Sequence, residues 1–388
     1  MKLKFHWRLL QGGETQGVTR ATGAGLRATG LPDLKPQIEF CRQAEESGIT
    51  GLLTDIGAAK PDPIVLAAGL GLATERIEFI VAYRSGLTLP TTFVQQLNTL
   101  SALLNGRLSL NIVAGHSPLE QRSYGDYLGH QERYARTEEF LAICRAFWRN
   151  DGPVNFDGSY YRIEDGTLNT PFISPQRSFP ELFIAGGSDE ARNLAISQGT
   201  LWMRLVDTPE NLKMRIAPVL AANKEVGLRM SIIARGTREE SWRAAERLVE
   251  GLDASSRDAE KEKRFMLKSD SVSIRETYAL AENEWLNPWL WTGAVRTHGA
   301  PAVALVGSYD DVAQALIDYA SIGVTQFILS GWPKLDEMIL FGREVLPRIR
   351  RLETALHSHG LLNAANAGNA GNAANAENAE NARVETPR

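Results

Sequence analysis

Between Ile77 and Gly115 the chain reads IEFIVAYRSGLTLPTTFVQQLNTLSALLNGRLSLNIVAG: an apolar run ending in polar residues, a turn, an amphipathic run and a second apolar run. Short runs rich in β-branched and aromatic residues read as strands, and a longer run with apolar positions three and four apart reads as a crossover helix. The alternation recurs: KLKFHWRLL then LKPQIEFCRQAEESG, ITGLLTDIG then DPIVLAAGLGLAT, LSLNIVAG then RYARTEEFLAICRAFWRN, and ELFIAGG then SDEARNLAISQG. LWMRLVD, LRMSIIAR and TQFILSG continue it, each before a helical run. Strands buried on both faces and joined by helices pair in parallel, and eight such units close a (β/α)8 TIM barrel. The rival, a doubly wound open sheet, lacks its signature, because no strand is followed by a GxGxxG turn opening a helix.

Two stretches leave the repeat. From about 251 to 307 a charge-rich segment and then WLNPWLWTGAVRTHGAPAVALVG follow the seventh strand; this is far longer than an ordinary βα loop and is expected to form a lid over the barrel mouth. From Asn363 an Asn-Ala-x triplet repeats, so residues 361–388 read as a disordered tail and residues 1–360 as the barrel with its lid.

Composition sets the class of partner. Charged residues are 23% of the chain and the net charge is -4, which leaves no electrostatic footprint for nucleic acid or a membrane surface. A small organic substrate fits better. Cys41 and Cys144 stand among apolar neighbours without CxxC or Cys/His spacing and read as buried free thiols. MKLKFHWRLL is too short an apolar stretch for a signal peptide, and no run approaches the roughly 18 apolar residues of a membrane span, so the expected location is the cytoplasm.

Barrel enzymes place their chemistry where strands end and βα loops begin. The polar residues expected there are His6, Asp55, Lys60, Tyr83, Arg84, Asn111, His116, Ser188, Arg204, Asp207, Arg229, Ser231 and Trp332, and no pair has metal-site spacing. AGGSDEAR is the most legible piece. Gly186 and Gly187 allow a tight turn and Ser188 opens a helix, so the segment is either an anion site at a helix N-terminus or a simple cap. His130, Arg133 and Tyr134 precede another helix, where a His-x-x-x-Tyr pair closes on the same anion in the first of these readings.

These segments resemble the bacterial luciferase-like flavin monooxygenases, and within them the alkanesulfonate monooxygenase branch. The resemblance runs from about Phe5 to Pro347 and is carried, in family order, by GITGLLTD, the Ile77–Gly115 unit, HQERYARTEEF, LFIAGGSDEA, GTREESWRAAERL, AVRTHGAPAVALVG and FILSGWPKLDE. It implies a two-component enzyme that takes reduced FMN from a separate NAD(P)H:FMN reductase and reacts it with O2 through a C4a-peroxyflavin. It further implies that Ser188, Gly187, His130 and Tyr134 hold the FMN phosphate, that Asn111 lies near the flavin ring, and that the chain is a homodimer or homotetramer.

The substrate side carries the departures. Arg229 and Arg296 fall on the branch's two active-site arginines and imply an anionic substrate, a sulfonate, another organosulfur compound or a specialised metabolite. Lys60 replaces a cysteine, Ser231 a histidine and Trp332 a tyrosine, which removes two proton carriers and leaves Lys60, His298 or His116 for that work. The alternatives are a deazaflavin-dependent hydride-transfer oxidoreductase and a non-catalytic flavin-binding barrel.

Overall fold

The computed structural model describes residues 2–11, 32–58, 60–251 and 269–358. The strands, in chain order, are β1 (Lys4–Arg8), β2 (Gly51–Leu53), β3 (Glu78–Tyr83), β4 (Leu108–Val113), β5 (Val154–Asp157), β6 (Arg162–Gly166), β7 (Glu181–Ala185), β8 (Leu201–Leu205), β9 (Glu225–Arg229), β10 (Ser231–Arg235), β11 (Leu290–Trp291), β12 (Ala304–Ser308) and β13 (Val324–Leu329). Eight of them pair in parallel into a closed barrel, in the order β1-β13-β9-β8-β7-β4-β3-β2 and back to β1. Closure excludes the open doubly wound sheet and fulfils the barrel expectation.

The β3–helix–β4 unit shows how the sequence builds each wall. In β3, Phe79, Val81 and Tyr83 face outward into the core shared with the helices, and Ile80 belongs to the apolar cluster inside the barrel. The Pro90–Leu103 helix opens on a proline, whose missing N–H costs nothing in the first turn. It buries Phe93, Val94, Leu97 and Leu100, and Tyr83 stacks on Phe93 with ring centroids 4.0 Å apart. The helix stops where Asn105 and Gly106 take positive φ of 50° and 79°. A side chain on Gly106 would meet the Ser174 Cα at 2.7 Å, so glycine is required there.

Inside the barrel, Leu53, Ile80, Phe183, Leu201, Met203 and Ile328 form one buried cluster. Each contributes roughly 1.5–3 kcal/mol by leaving water. Below them, at the start of the strands, lies a polar plug: Lys4 pairs with Glu181 at 3.2 Å, and Gln326 donates to Glu181 and Glu225 at 2.8 Å each. His6, expected at the barrel mouth, lies in this interior instead, fully buried with Nε2 2.9 Å from Gln326 Oε1. Burial holds its pKa below the ordinary value against the pull of nearby Glu78.

The seventh strand departs from expectation. LRMSIIAR breaks at Met230: β9 closes the barrel, while β10 runs past the rim and pairs in parallel with β12, from Ser231 opposite Ala304 to Arg235 opposite Ser308. β11 adds to β12 in antiparallel fashion, and Ile233, Trp291, Ala294, Ala304 and Val306 make a second small core. Residues 304–307, expected within the lid, are therefore a buried strand. An apolar strand projecting beyond the ring leaves its backbone unpaired, and β12 supplies the ladder. The β5–β6 hairpin is a further addition the sequence reading missed. Among the described residues no helix is long and apolar enough to cross a membrane. Cys41 and Cys144 are buried and free, and burial pushes the Cys41 thiol up to about 12. The Asn-Ala tail lies outside the described residues.

Candidate active site

Side-chain parity decides what reaches the barrel axis. Ile80, Phe183 and Met203 point inward, so Arg8 and Arg229, alternating with outward Trp7 and Leu228, also face the axis at the end of their strands. Two residues past Leu53 and past Ala82, the same alternation brings Asp55 and Arg84 to this rim, and Asn111 joins them from β4. The alternation turns Tyr83 and Arg204, both expected in the mouth, outward. The Tyr83 hydroxyl is 2.6 Å from that of Thr88, and Arg204 lies over the Trp202 ring. The Asp207 carboxylate is likewise occupied, accepting from the Thr208 N–H and the Asn211 side chain.

The rim carries more basic than acidic groups. Arg8 donates to Asp55 through Nε at 2.7 Å and through Nη2, and Gln11 clamps the Asp55 backbone in both directions at 2.7 and 3.0 Å. Burial alone would raise the Asp55 pKa; the contact with Arg8 and the charges of Lys60 and Arg229 hold it far below the ordinary carboxylate range instead. Four basic side chains, Arg8, Lys60, Arg84 and Arg229, thus share the rim with two acids, Asp55 and Glu120; Arg84 pairs with Glu120 at 3.2 Å. Asn111 is buried, with its Oδ1 lacking any hydrogen-bond partner among the described residues.

Across the mouth, at the end of β7, lies a second polar cluster. Ser188 caps the Asp189–Ser197 helix through Oγ and the Ala191 N–H at 3.2 Å, and its hydroxyl also bonds to Tyr134. Burial pushes the Tyr134 phenol up to about 12, so it stays a proton donor. His130 stacks edge-on against Tyr134 at 5.1 Å; among the described residues neither ring nitrogen is hydrogen-bonded, though Glu190 and Asp270 stand 3.9 and 4.0 Å from them. Gly186 has φ 149°, and a Cβ there would lie 2.8 Å from the Tyr134 hydroxyl; one on Gly187 would lie 2.6 Å from Ser273 Oγ. Ser273 belongs to the Val272–Leu280 helix, itself capped by Ser271. Two helix N-termini therefore converge on one glycine turn, and a groove of about 710 Å³ lined by His130, Glu190, Asp270 and Arg275 opens beside it.

The segment after residue 268 lies over this side of the mouth. Ser269 Oγ and the Asp270 N–H both donate to the His116 carbonyl, at 2.6 and 3.2 Å. Asp270 pairs with Arg133, and Glu276 pairs with Arg215 at 2.7 Å and Arg204 at 3.6 Å. Asp270 was invisible to sequence reasoning, because its partner stands 137 residues away.

The remaining candidates belong to the second sheet and its neighbours. Ser231 is fully buried and donates to the Pro301 carbonyl at 2.9 Å. His298 is buried, 2.8 Å from the Thr297 hydroxyl through Nδ1 and edge-on to Trp332 at 4.8 Å; burial lowers its pKa to about 4, so it is a neutral imidazole near pH 7. Arg296 is exposed on the short Val295–His298 helix.

The family profile described as luciferase-like monooxygenase matches residues 5–326. The chain belongs to the luciferase-like monooxygenase family. Membership places it among the oxidoreductases. An EDTA monooxygenase from Chelativorans sp. BNC1 superimposes with a TM-score of 0.71 at 24% identity, covering 90% of this chain and 94% of its own. A riboflavin lyase with modified FMN and riboflavin gives 0.71 at 18% identity, over 91% and 92%. The coenzyme F420-dependent tetrahydromethanopterin reductase of Methanopyrus kandleri gives 0.61 at 14% identity, over 90% and 100%. At these identities the likeness is one of fold, and nothing singles out the alkanesulfonate branch expected from the sequence.

Asp270→Asn removes the ionic part of the Arg133 contact. It is expected to lower the protection of the Val272–Leu280 amides by about 1 kcal/mol, a roughly fivefold faster hydrogen exchange. Exchange equal to that of the unaltered protein would show that this pair does not hold the segment down.

Proposed function

We propose that the chain is the oxygenating component of a two-component monooxygenase, using reduced FMN and O2 to oxygenate a small anionic organic substrate. The observation that carries the reading is the pairing of a cationic, inward-facing rim with a glycine-turn cradle across one barrel mouth. The cradle residues suit a phosphate. Ser188, the Gly187 turn, Tyr134 and His130 would hold it at a convergence of two helix dipoles, with the Glu190 and Asp270 carboxylates at the edge of the groove. Asn111 offers an unsatisfied acceptor for the N–H edge of a flavin ring.

Bound reduced flavin supplies the electrons that activate O2. The chain's own residues bind, orient and keep water out. Arg229 and Lys60, with Arg8 held in place by Asp55, set a positive field for an anionic head group. Ser231 acts as a positioning residue, since its hydroxyl ties the 301–303 connection to β10, and Trp332 positions His298. His298, neutral near pH 7, acts as a proton acceptor, and Lys60 stands close enough to the rim for its charge to act on Asp55. Arg296 sits on the covering segment, where it meets substrate only after that segment moves.

The family partners complete the proposal: a separate NAD(P)H:FMN reductase, a cytoplasmic setting and a homodimer or homotetramer. The helices Pro63–Gly71 and Pro90–Leu103 pack side by side, hold no charged residue and expose Val65 and Leu103, with Leu72 exposed at the cap of the first, which suits a contact between copies. Light scattering is expected to give at least twice the chain mass; a mass near 42.7 kDa would remove the oligomer.

Anaerobic titration with reduced FMN tests the cofactor. Micromolar binding is expected, weakened by about 1–2 kcal/mol, or 5- to 30-fold, in Ser188→Ala. An unchanged dissociation constant would take Ser188 out of the site, and preference for reduced coenzyme F420 over FMN would favour the hydride-transfer alternative.

A further inference from the structure

Arg84 is 97% buried, yet it is only half engaged: Nη1 meets Glu120 Oε2 at 3.2 Å, while Nε and Nη2 have no hydrogen-bond partner among the described residues. Those two nitrogens form one edge of the guanidinium, the edge whose parallel N–H bonds match the two oxygens of a carboxylate or sulfonate. Buried donors left unpaired are costly, so an unpaired fork at a rim position needs a partner, which must open a path to nitrogens now closed to solvent.

The other deeply buried arginines show the contrast. Arg133 spends its donors on the carbonyls of Ala114 and Leu128 and on Asp270. Arg204 faces away from the axis and leaves a single nitrogen unpaired. On the rim, the corresponding edge of Arg8 is filled by Asp55. Arg84 is held rigid by Glu120 on one side and by the Tyr124 ring, 4.7 Å from its central carbon, on the other. Glu120 in turn is fixed by accepting from the Ala58 N–H at 3.0 Å, which ties the fork to the loop that carries Lys60.

We infer that the Nε–Nη2 edge of Arg84 is the recognition fork for the anionic head of the substrate, a carboxylate or sulfonate gripped by two parallel hydrogen bonds. The inference rests on the monooxygenase reading for what the bound anion is used for, but the fork itself does not require flavin. Arg84 is a binding residue, with Lys60 and Arg229 adding field rather than geometry. It also gives the oxygenated substrate a fixed end, so that the reacting atom is placed by its distance from the fork.

Arg84→Lys keeps the charge facing Glu120 and removes the fork, and Arg84→Gln removes both. Calorimetric titration of the full chain with butyrate, propanesulfonate and, as the uncharged control, butyramide reads the head-group preference; reduced FMN titration in the same preparations reads the cofactor site. The expected result is at least tenfold weaker binding of both anions in Arg84→Lys, with butyramide and reduced FMN affinities within twofold of the unaltered protein and an unshifted melting temperature. Equal anion affinity in the unaltered protein and Arg84→Lys, or no anion binding to the unaltered protein, overturns the fork. A parallel loss of reduced FMN affinity in Arg84→Lys also overturns it, by giving the edge to the flavin. Failure of the unaltered protein to bind reduced FMN, with the anion results intact, would instead sink the monooxygenase reading and leave the fork standing.

Discussion

Closing eight parallel strands into a ring leaves each strand only every second side chain with which to build the interior, and that constraint orders everything else in this molecule. The interior volume is fixed, so its layers are specified one residue type at a time: a polar plug of Lys4, Glu181, Glu225 and Gln326, then the apolar layer around Phe183 and Ile328, then the charged rim. The apolar layer is a dry floor. It separates the plug from the rim, so the rim charges act on one another and on a ligand in a medium where each is worth more than in water.

The rim does not cover itself, and the strand that overshoots it supplies the cover. β9 ends at Arg229 on the rim, and the chain continues through Met230 into β10, which carries the small second sheet. The covering helix is held by acids reaching basic side chains on three elements: Asp270 to Arg133, and Glu276 to Arg204 and Arg215. These contacts are ionic and partly exposed, so they are weak compared with the packing beneath and are the contacts best suited to break and re-form. Asp270 also stands 4.0 Å from the His130 ring, so the covering segment and the glycine-turn cluster meet at one side chain.

Much of this was legible in the sequence, and the misses have physical causes. The barrel was readable because β-branched, doubly buried strands and amphipathic helices leave strong periodic signals, as in EFIVAY and FVQQLNTL. The glycine turn and the Ser188 cap were readable because glycines before a serine that opens a helical run have few uses. The break at Met230 was not, since Leu228, Met230 and Ile232 keep one alternation through two sheets. His6 was misplaced because strand ends, unlike strand interiors, cannot be located to a residue from pattern alone. Arg8 was overlooked beside it, although the same period puts it on the rim. The pairing of Asp270 with Arg133 has no local signature at all. That Arg84 keeps one edge of its guanidinium unpaired is likewise a matter of three-dimensional satisfaction, with no trace in the local sequence.

The central claim is that this barrel mouth holds reduced FMN in a covered, dry site where its reaction with O2 is controlled by the protein. The most direct measurement mixes the anaerobic complex of protein and reduced FMN rapidly with oxygenated buffer and follows the appearance of oxidised flavin. The account predicts reoxidation in distinct phases, with oxidised flavin appearing later than it does from free reduced FMN under the same conditions. Reoxidation in a single phase at the rate of free flavin would contradict it.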